Sequence, residues 1–231
     1  MRFQQKTDVK TTAQTRNPIS SAKPLTEDKR LIEANTLSRL AHLFSSSKAP
    51  YALNGGAALH FIYLRELRRT PSDIDLRCDD LESCRRMFAD RFEPMEKPSP
   101  VEMYCFRDEN GIIIDITQNR FPRIKKMMKA ASVDVLSYDF EVLFAEKLIA
   151  LARKRDYKDL FDAYSCLSVE MDVKRFVRYL REISEHDEID PSAIANPSYI
   201  IDGGRGGDAP VVPGVSETAM LSRVQSFISS V

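Results

Sequence analysis

Apolar residues recur at helical spacing in some parts of the chain and in short runs or alternation in others. The helical period predicts a helix from about residue 26 to the serine-rich break at 45–47. A short apolar strand at 51–53 follows, and a second helical pattern starts directly after it. Beyond residue 137 the helical period predominates. These patterns predict an α/β (α+β) fold, with a small mixed β-sheet flanked by helices and followed by a helical C-terminal part.

A β-hairpin is predicted between residues 101 and 116. The first half alternates apolar and polar side chains, and the turn contains Asn110-Gly111, a strong short hairpin signal. The return strand, 112–116, is apolar except for Asp115. A lone carboxylate buried in such a strand would lose much of its hydration free energy. Asp115 is therefore a candidate functional residue.

Two further acids, Asp73 and Asp75, flank Ile74 in a short segment that reads as a strand. Alternate residues of a strand point to the same face, so both carboxylates lie on one side and repel each other. A metal ion is the natural partner of such a pair. The alternative is an exposed edge strand on which water hydrates both acids. If the hairpin places Asp115 beside them, the three carboxylates complete a metal site.

The glycine pair Gly55-Gly56 joins the strand at 51–53 to the helix that follows. A strand, a glycine turn and the start of a helix together present free backbone N–H groups that suit phosphate. A tight turn also favours glycine for steric reasons alone, and for an isolated Gly-Gly that alternative is the more common one.

Composition narrows the class of protein further. The chain has 231 residues, of which 43% are hydrophobic, enough for a substantial core. Its 34 basic residues balance 34 acidic ones, which argues against a dedicated nucleic-acid coat protein. No apolar run approaches the roughly 20 residues that span a bilayer, and the polar start does not resemble a signal peptide. We expect a cytoplasmic protein without membrane contact, whose four scattered cysteines are free thiols.

Changes in composition predict four segments. Residues 1–24 form a flexible N-terminal arm, 25–136 the core, 137–185 a helical domain, and 186–231 a glycine-rich linker with a C-terminal helix. The glycines at 203–207 are not followed by Lys-Ser/Thr, so they do not indicate a P-loop.

The order of these motifs resembles that of the AbiEii/AbiGii nucleotidyltransferase toxins, including the MenT-like enzymes. Four segments carry the resemblance, which extends over about residues 30–185: LNGGAALHFIY, SDIDL, IIIDI and FAEKLIALARKRDYKDLFDAY. The family has a polymerase-β-like nucleotidyltransferase core followed by a helical domain. The resemblance implies transfer of a nucleoside monophosphate (NMP) from an NTP, with tRNA 3′ ends as the acceptor in some members. It also implies a cognate antitoxin.

The resemblance, taken together with the acids, implies a role for each of these motifs. Asp73, Asp75 and Asp115 would hold Mg²⁺ in a two-metal site, and Asp115 would also activate the attacking hydroxyl. Gly55 and Gly56 would contact the triphosphate.

Three more residues complete the implied site. Ser72 would contact the nucleotide; the family commonly has Ser or Thr one position earlier, where this chain has Pro71. Lys147 would reach the phosphates from the helical domain, and Asp156 would orient Lys147 or the base. For Glu146-Lys147 the alternative is an ordinary exposed pair on a helix.

Two other functions stay open at this point. A small-molecule nucleotidyltransferase of the antibiotic-modifying type shares the core and the paired acids. A catalytically inactive nucleotidyltransferase fold could instead serve as a binding module for RNA or protein.

Overall fold

A computed structural model describes residues 27–45, 49–64, 69–71, 73–96, 103–119, 125–202, 212 and 214–231. Within these ranges, one mixed sheet contains seven strands: β1 (Tyr51–Asn54), β2 (Asp73–Cys78), β3 (Glu93–Met95), β4 (Met103–Arg107), β5 (Ile113–Gln118), β6 (Lys125–Ala130) and β7 (Val133–Tyr138). Their order across the sheet is β3-β4-β5-β2-β1-β7-β6.

Helices surround this sheet and form the C-terminal part of the chain. They are α1 (Glu27–Leu43), α2 (Gly55–Ala58), α3 (Leu81–Ala89), α4 (Phe140–Lys154), α5 (Tyr157–Cys166), α6 (Val173–Asp187) and α7 (Glu217–Ile228). A π-helical turn, Leu59–Tyr63, continues α2, and a 3₁₀ turn, Pro191–Ala195, follows α6. The predicted α/β class is confirmed. No helix within the described ranges is both long and apolar enough to cross a membrane.

The centre of the sheet positions the acidic residues. Strand β2 lies between β1, to which it is antiparallel, and β5, to which it is parallel. Asp75 is paired with Asn54 on one side and with Asp115 on the other. Directly paired residues of neighbouring strands point to the same face, so these three side chains form a line across the sheet. The expectation that the hairpin brings Asp115 beside the paired acids is confirmed.

The two faces of the sheet carry different helices. Tyr51 donates a hydrogen bond to the Leu43 carbonyl in α1 at 2.7 Å and packs edge-on against Phe88 in α3, with ring centroids 5.4 Å apart. Tyr51 and Asn54 point to opposite faces because strand residues alternate. Glu146 of α4 accepts a hydrogen bond from Asn54, so α4 covers the face that carries the acids.

The helical part packs through aromatic rings. Phe144 of α4 stacks on Phe176 of α6 at 5.0 Å and on Phe227 of α7 at 5.6 Å, measured between ring centroids. All three helices therefore meet in one apolar layer, in which Phe144 and Phe176 are buried and Phe227 is half-buried.

Some elements differ from the sequence-based expectation. The basic segment 125–130, for which the sequence pattern indicated no strand, is the edge strand β6 and pairs antiparallel with β7. The helix after Gly55 is a four-residue α-helical segment followed by the π-helical turn. The short edge strand β3 had no clear pattern in the sequence. The N-terminal arm, Ser72 and the glycines at 203–207 lie outside the described residues, and the division into domains stays a prediction.

Candidate active site

Asp73, Asp75 and Asp115, named here the carboxylate row, lie on one face of the two central parallel strands. Asp73 and Asp75 alternate along β2, and Asp115 is the direct partner of Asp75 on β5. Burial, together with the negative charges of Asp73 and Asp115, raises the pKa of Asp75 to about 7. The three acids are thus close enough to repel one another, which is the situation predicted from the sequence.

The carboxylate row has the chemistry that a hard divalent cation requires. Its donors are all oxygens, the ligands that Mg²⁺ prefers, and a neighbouring dication would offset the repulsion that raises the Asp75 pKa. Within the described ranges, no three His, Cys, Asp or Glu side chains are already arranged as a metal-binding cluster. The donor types therefore fit Mg²⁺, while the two-metal site itself stays a prediction.

Gly55 brings the turn after β1 directly against the carboxylate row. Its φ angle is +62°, in the left-handed region that glycine tolerates best. A Cβ atom placed on Gly55 would lie only 2.0 Å from Oδ2 of Asp75. The close approach of the turn to Asp75 therefore requires glycine at this position. The contact of Gly55 and Gly56 with a triphosphate stays a prediction.

Glu146 links α4 to the same face of the sheet. It accepts a hydrogen bond from Nδ2 of Asn54 at 2.8 Å and pairs with Arg77 at 3.5 Å. Arg77 in turn donates to Oγ1 of Thr117 at 2.9 Å. The side chain of Glu146 is 13% exposed. The alternative of an ordinary exposed helix pair is therefore wrong for Glu146, which anchors α4 beside the carboxylate row.

Lys147, the next residue, belongs to a buried group that we name the Asp162 cluster: His60, Arg69, Lys147, Asp159 and Asp162. Nζ of Lys147 lies 2.7 Å from Oδ1 of Asp159 and 3.1 Å from Oδ2 of Asp162. Arg69 donates to both oxygens of Asp162, from Nε at 3.0 Å and from Nη2 at 3.1 Å. His60 Nε2 lies 2.8 Å from Oδ1 of Asp162. Four donors thus converge on one carboxylate, which is as many as its lone pairs accept.

The charges of the Asp162 cluster are stabilised by one another. Burial by itself raises the pKa of Asp162, but Lys147 and Arg69 hold it well below the usual range. Burial lowers the pKa of Lys147, and the carboxylates of Asp159 and Asp162 outweigh that effect, so the net shift is upward. Lys147 therefore stays charged although its side chain is only 11% exposed.

His60 is neutral, because burial, with the positive charges of Arg69 and Lys147, lowers its pKa more than Asp162 raises it. The backbone N–H of Arg69 donates to its Nδ1 at 3.1 Å, so Nδ1 is the acceptor nitrogen of the ring. Nε2 must then carry the proton and donate it to Asp162. The tautomer of His60 is thus determined by its two hydrogen-bond partners.

The Asp162 cluster lies within electrostatic reach of the carboxylate row. The positive charge of Lys147 counteracts part of the rise in the Asp75 pKa. The negative charge of Asp73 is one of the charges that raise the pKa of Arg69, against the opposing effect of burial. The two groups therefore lie close together, with the anionic oxygens on the sheet and the buried cations of the Asp162 cluster near them.

The predicted role of Asp156, to orient Lys147 or the base, stays a prediction. Asp156 accepts a hydrogen bond from the backbone N–H of Lys158 at 2.6 Å and caps the start of α5. The carboxylates on Lys147 are Asp159 and Asp162, which lie three residues apart on α5 and therefore on one helix face. That three-residue spacing was the feature of the sequence that could have identified Asp159 and Asp162 as a pair on one helix face. Ser72 is not among the described residues, so its predicted nucleotide contact stays a prediction.

Comparison with known proteins agrees with this geometry. Residues 108–202 match the family described as nucleotidyl transferase AbiEii toxin, type IV TA system. MenT4, a nucleotidyltransferase toxin from Mycobacterium tuberculosis H37Rv, has a similar structure with a TM-score of 0.68 and 16% identity, over 88% of this chain and 85% of that chain.

Two other solved structures are more distant. JHP933 from Helicobacter pylori has a TM-score of 0.46 and 14% identity, over 90% of this chain and 97% of that chain. An antigenic nucleotidyltransferase-like protein from Paracoccidioides brasiliensis has a TM-score of 0.41 and 17% identity, over 72% and 92% of the respective chains. No curated protein sequence matches the chain.

The fold, the carboxylate row and the family match together define the class of this protein, which is a nucleotidyltransferase. Residues 108–202, which include Asp115, Lys147 and Asp162, match the model of the AbiEii family of nucleotidyltransferase toxins. The resemblance inferred from the sequence is confirmed.

Proposed function

We propose that this nucleotidyltransferase transfers an NMP from an NTP to a hydroxyl of an RNA acceptor in a Mg²⁺-dependent reaction, with the tRNA 3′ end as the expected acceptor. It would act in the cytoplasm as the toxin of a toxin–antitoxin pair. One observation carries the chemical part of the proposal: the carboxylate row lies within electrostatic reach of Lys147 in the Asp162 cluster. Oxygen ligands for a metal and N–H donors for phosphate thus lie in one site.

The carboxylate row has two tasks in this reaction. Asp73, Asp75 and Asp115 would hold Mg²⁺, which when bound neutralises charge on the triphosphate and on the reacting oxygens. Asp115 is buried and adjacent to Asp75, and it accepts the proton of the acceptor hydroxyl. The hydroxyl oxygen forms a bond to the α-phosphorus while the bond from that phosphorus to the bridging oxygen breaks. Pyrophosphate leaves with the electron pair of the broken bond.

Lys147 positions the triphosphate opposite the carboxylate row. An ammonium group has three N–H donors, and two of them are directed at Asp159 and Asp162. The third is available for a phosphate oxygen, and the two carboxylates keep the ammonium in place before substrate binds. The backbone N–H groups of Gly55 and Gly56 supply further donors for the same phosphates.

The acceptor and the partner come from the family resemblance. The family match names a toxin of a toxin–antitoxin system, so a cognate antitoxin is the expected partner. An RNA acceptor is expected because the resemblance implies tRNA ends as the acceptor in some members of the family. The experiment below separates RNA from small-molecule acceptors.

The test uses purified protein, Mg²⁺, each of the four α-labelled NTPs, and either total tRNA or a low-molecular-weight cell extract. We expect label on RNA with at least one NTP and none without Mg²⁺. Asp75→Asn should lower the transfer rate at least about a hundredfold, since a ligand of the metal is lost. Asp134→Asn is the matched control, because Asp134 is an exposed strand carboxylate paired with Lys129.

The outcomes discriminate between the candidate functions. Label on small molecules instead of RNA would favour the antibiotic-type alternative. NTP binding without transfer to any acceptor would favour the inactive binding module. Equal transfer by wild type and Asp75→Asn would contradict the proposed mechanism.

A further inference from the structure

The Asp162 cluster contains a second cation, Arg69, to which the proposed mechanism gives no task. We infer that Arg69 is a phosphate-binding residue of the NTP site, and that Asp162 and His60 are the positioning residues that hold its guanidinium there. The inference rests on the proposed function, because it names a further part of the same site.

Arg69 lies directly against the glycine turn. A Cβ atom placed on Gly56 would be 2.4 Å from Nη2 of Arg69 and 3.3 Å from its Cζ. The guanidinium thus occupies the space that a side chain at position 56 would fill. Because Gly56 is a predicted phosphate contact, Arg69 is placed where a phosphate bound at the turn would meet it.

The guanidinium retains unused hydrogen-bond donors. It has five N–H groups, of which one on Nε and one on Nη2 donate to Asp162. Among the residues that the structure describes, none accepts the other three. Arg69 is 13% exposed, and Asp73 of the carboxylate row is close enough to help raise its pKa. Three donors in a rigid plane beside the row match the oxygens of a phosphate better than a point charge does.

His60 secures Arg69 from two sides. Its Nδ1 accepts the backbone N–H of Arg69, and its Nε2 donates to the same Asp162 carboxylate that holds the guanidinium. The side chain of His60 is fully buried and lies against the ring of Phe161, with centroids 6.3 Å apart. Both the main chain and the side chain of Arg69 are therefore fixed before a ligand binds, so little rotamer freedom is lost on binding.

Binding without turnover tests the role of Arg69. The probes are an NTP analogue with a methylene group between the α- and β-phosphates and inorganic triphosphate, both with Mg²⁺, titrated by calorimetry. We expect Arg69→Gln to weaken both ligands by about 10- to 100-fold, the equivalent of one hydrogen bond to a charged group. Arg69→Lys should show an intermediate loss, because it keeps the charge and lacks the planar fork.

The matched control is Arg153→Gln. Arg153 also pairs with a single aspartate, Asp187 at 2.7 Å, but it does so at the far end of α4. This variant should bind both ligands like the wild type. Wild-type affinity in both Arg69→Gln and Arg69→Lys would overturn the inference.

Two variants of His60 test its positioning role. Glutamine can present one donor and one acceptor as the neutral imidazole does, whereas leucine presents neither. We expect His60→Leu to raise KM for the NTP about tenfold and His60→Gln to recover most of that loss. A role in stability alone would lower the melting temperature of His60→Leu without changing KM, and that result would overturn the positioning role.

Failure of this inference is distinguishable from failure of the proposed function. If wild-type protein binds the analogue and transfers label while the Arg69 variants bind equally well, only the inference is wrong. If wild-type protein binds neither the analogue nor inorganic triphosphate, the proposed NTP site and the inference are both wrong.

Discussion

Replacement of Gly55 by alanine tests the closest approach in the site. The backbone at this position has a φ angle of +62°, and a new Cβ atom would lie 2.0 Å from Oδ2 and 2.7 Å from Cγ of Asp75. Neither distance is compatible with van der Waals contact. The alanine methyl group and the Asp75 carboxylate must therefore move apart, which displaces a member of the carboxylate row.

The magnitude follows from two separate costs. A left-handed backbone conformation costs a non-glycine residue about 1–2 kcal/mol, and overpacking a tight site costs about 1–3 kcal/mol. Together these lower the free energy of unfolding by about 2–5 kcal/mol. For a chain of this size, that corresponds to a melting temperature lower by about 4–20 °C.

Gly111 supplies the matched control within the same chain. Its φ angle is +77°, and a Cβ atom placed there would have no neighbour within 4 Å. Gly111→Ala should therefore show the backbone cost alone, about 1–2 kcal/mol. Both variants share the loss of unfolded-state freedom, so that effect cancels in the comparison. Thermal unfolding and urea denaturation measure the difference.

A double-mutant cycle identifies the cause of that difference. Asp75→Ala removes the atoms at 2.0 and 2.7 Å and leaves the Asp75 Cβ contact at 2.9 Å, so it should relieve part of the extra cost of Gly55→Ala. Label transfer by Gly55→Ala should fall at least about tenfold, while Gly111→Ala keeps wild-type transfer. Equal destabilisation by both alanines, with no coupling to Asp75, would refute the close approach on which this reasoning depends.

Three further predictions concern charge. Because the pKa of Asp75 is raised to about 7, the folded protein binds an extra proton between the unfolded value of 3.8 and pH 7, so the metal-free stability should fall as pH rises through that window. In thermal melts, Asp75→Asn should remove this pH dependence. Mg²⁺ should stabilise the wild type more at pH 8 than at pH 6. Arg39→Met should lower the free energy of unfolding in urea by about 3 kcal/mol, because it removes the guanidinium whose Nε lies 2.7 Å from Oδ2 of the buried Asp108. The transfer rate per folded molecule should not change. An unchanged urea midpoint would contradict this prediction. Lys147→Gln should lower transfer by about 10- to 100-fold and also lower the melting temperature, since it leaves Asp162 with one donor fewer.

Local patterns in the sequence were sufficient for the central strands. The alternation around Ile74 placed Asp73 and Asp75 on one face, because side chains of a strand have a period of two. Asn110-Gly111 predicted the turn of the hairpin, which places Asp115 on the return strand. These features depend on residues close together in the chain, which is why they could be read without a tertiary structure.

Those local patterns could not predict which distant segments of the chain pair or pack together. Segment 125–130 is basic and amphipathic, which is typical of a solvated surface, and it forms β6 because β7 offers a hydrogen-bonding edge. Asp156 and Asp162 both follow Lys147 at plausible spacing, and only the packing of α5 against α4 decides which of them reaches the ammonium.

The sequence by itself therefore determined the chemical composition of the site: paired acids, a third acid on a hairpin, a glycine turn and a lysine on a later helix. The tertiary structure decided how those groups are connected. It brought Arg69 and His60 to the carboxylate of Asp162, although more than ninety residues separate them from it along the chain. Buried charges are stable only when partners surround them, and those partners come from whichever elements the fold brings into contact.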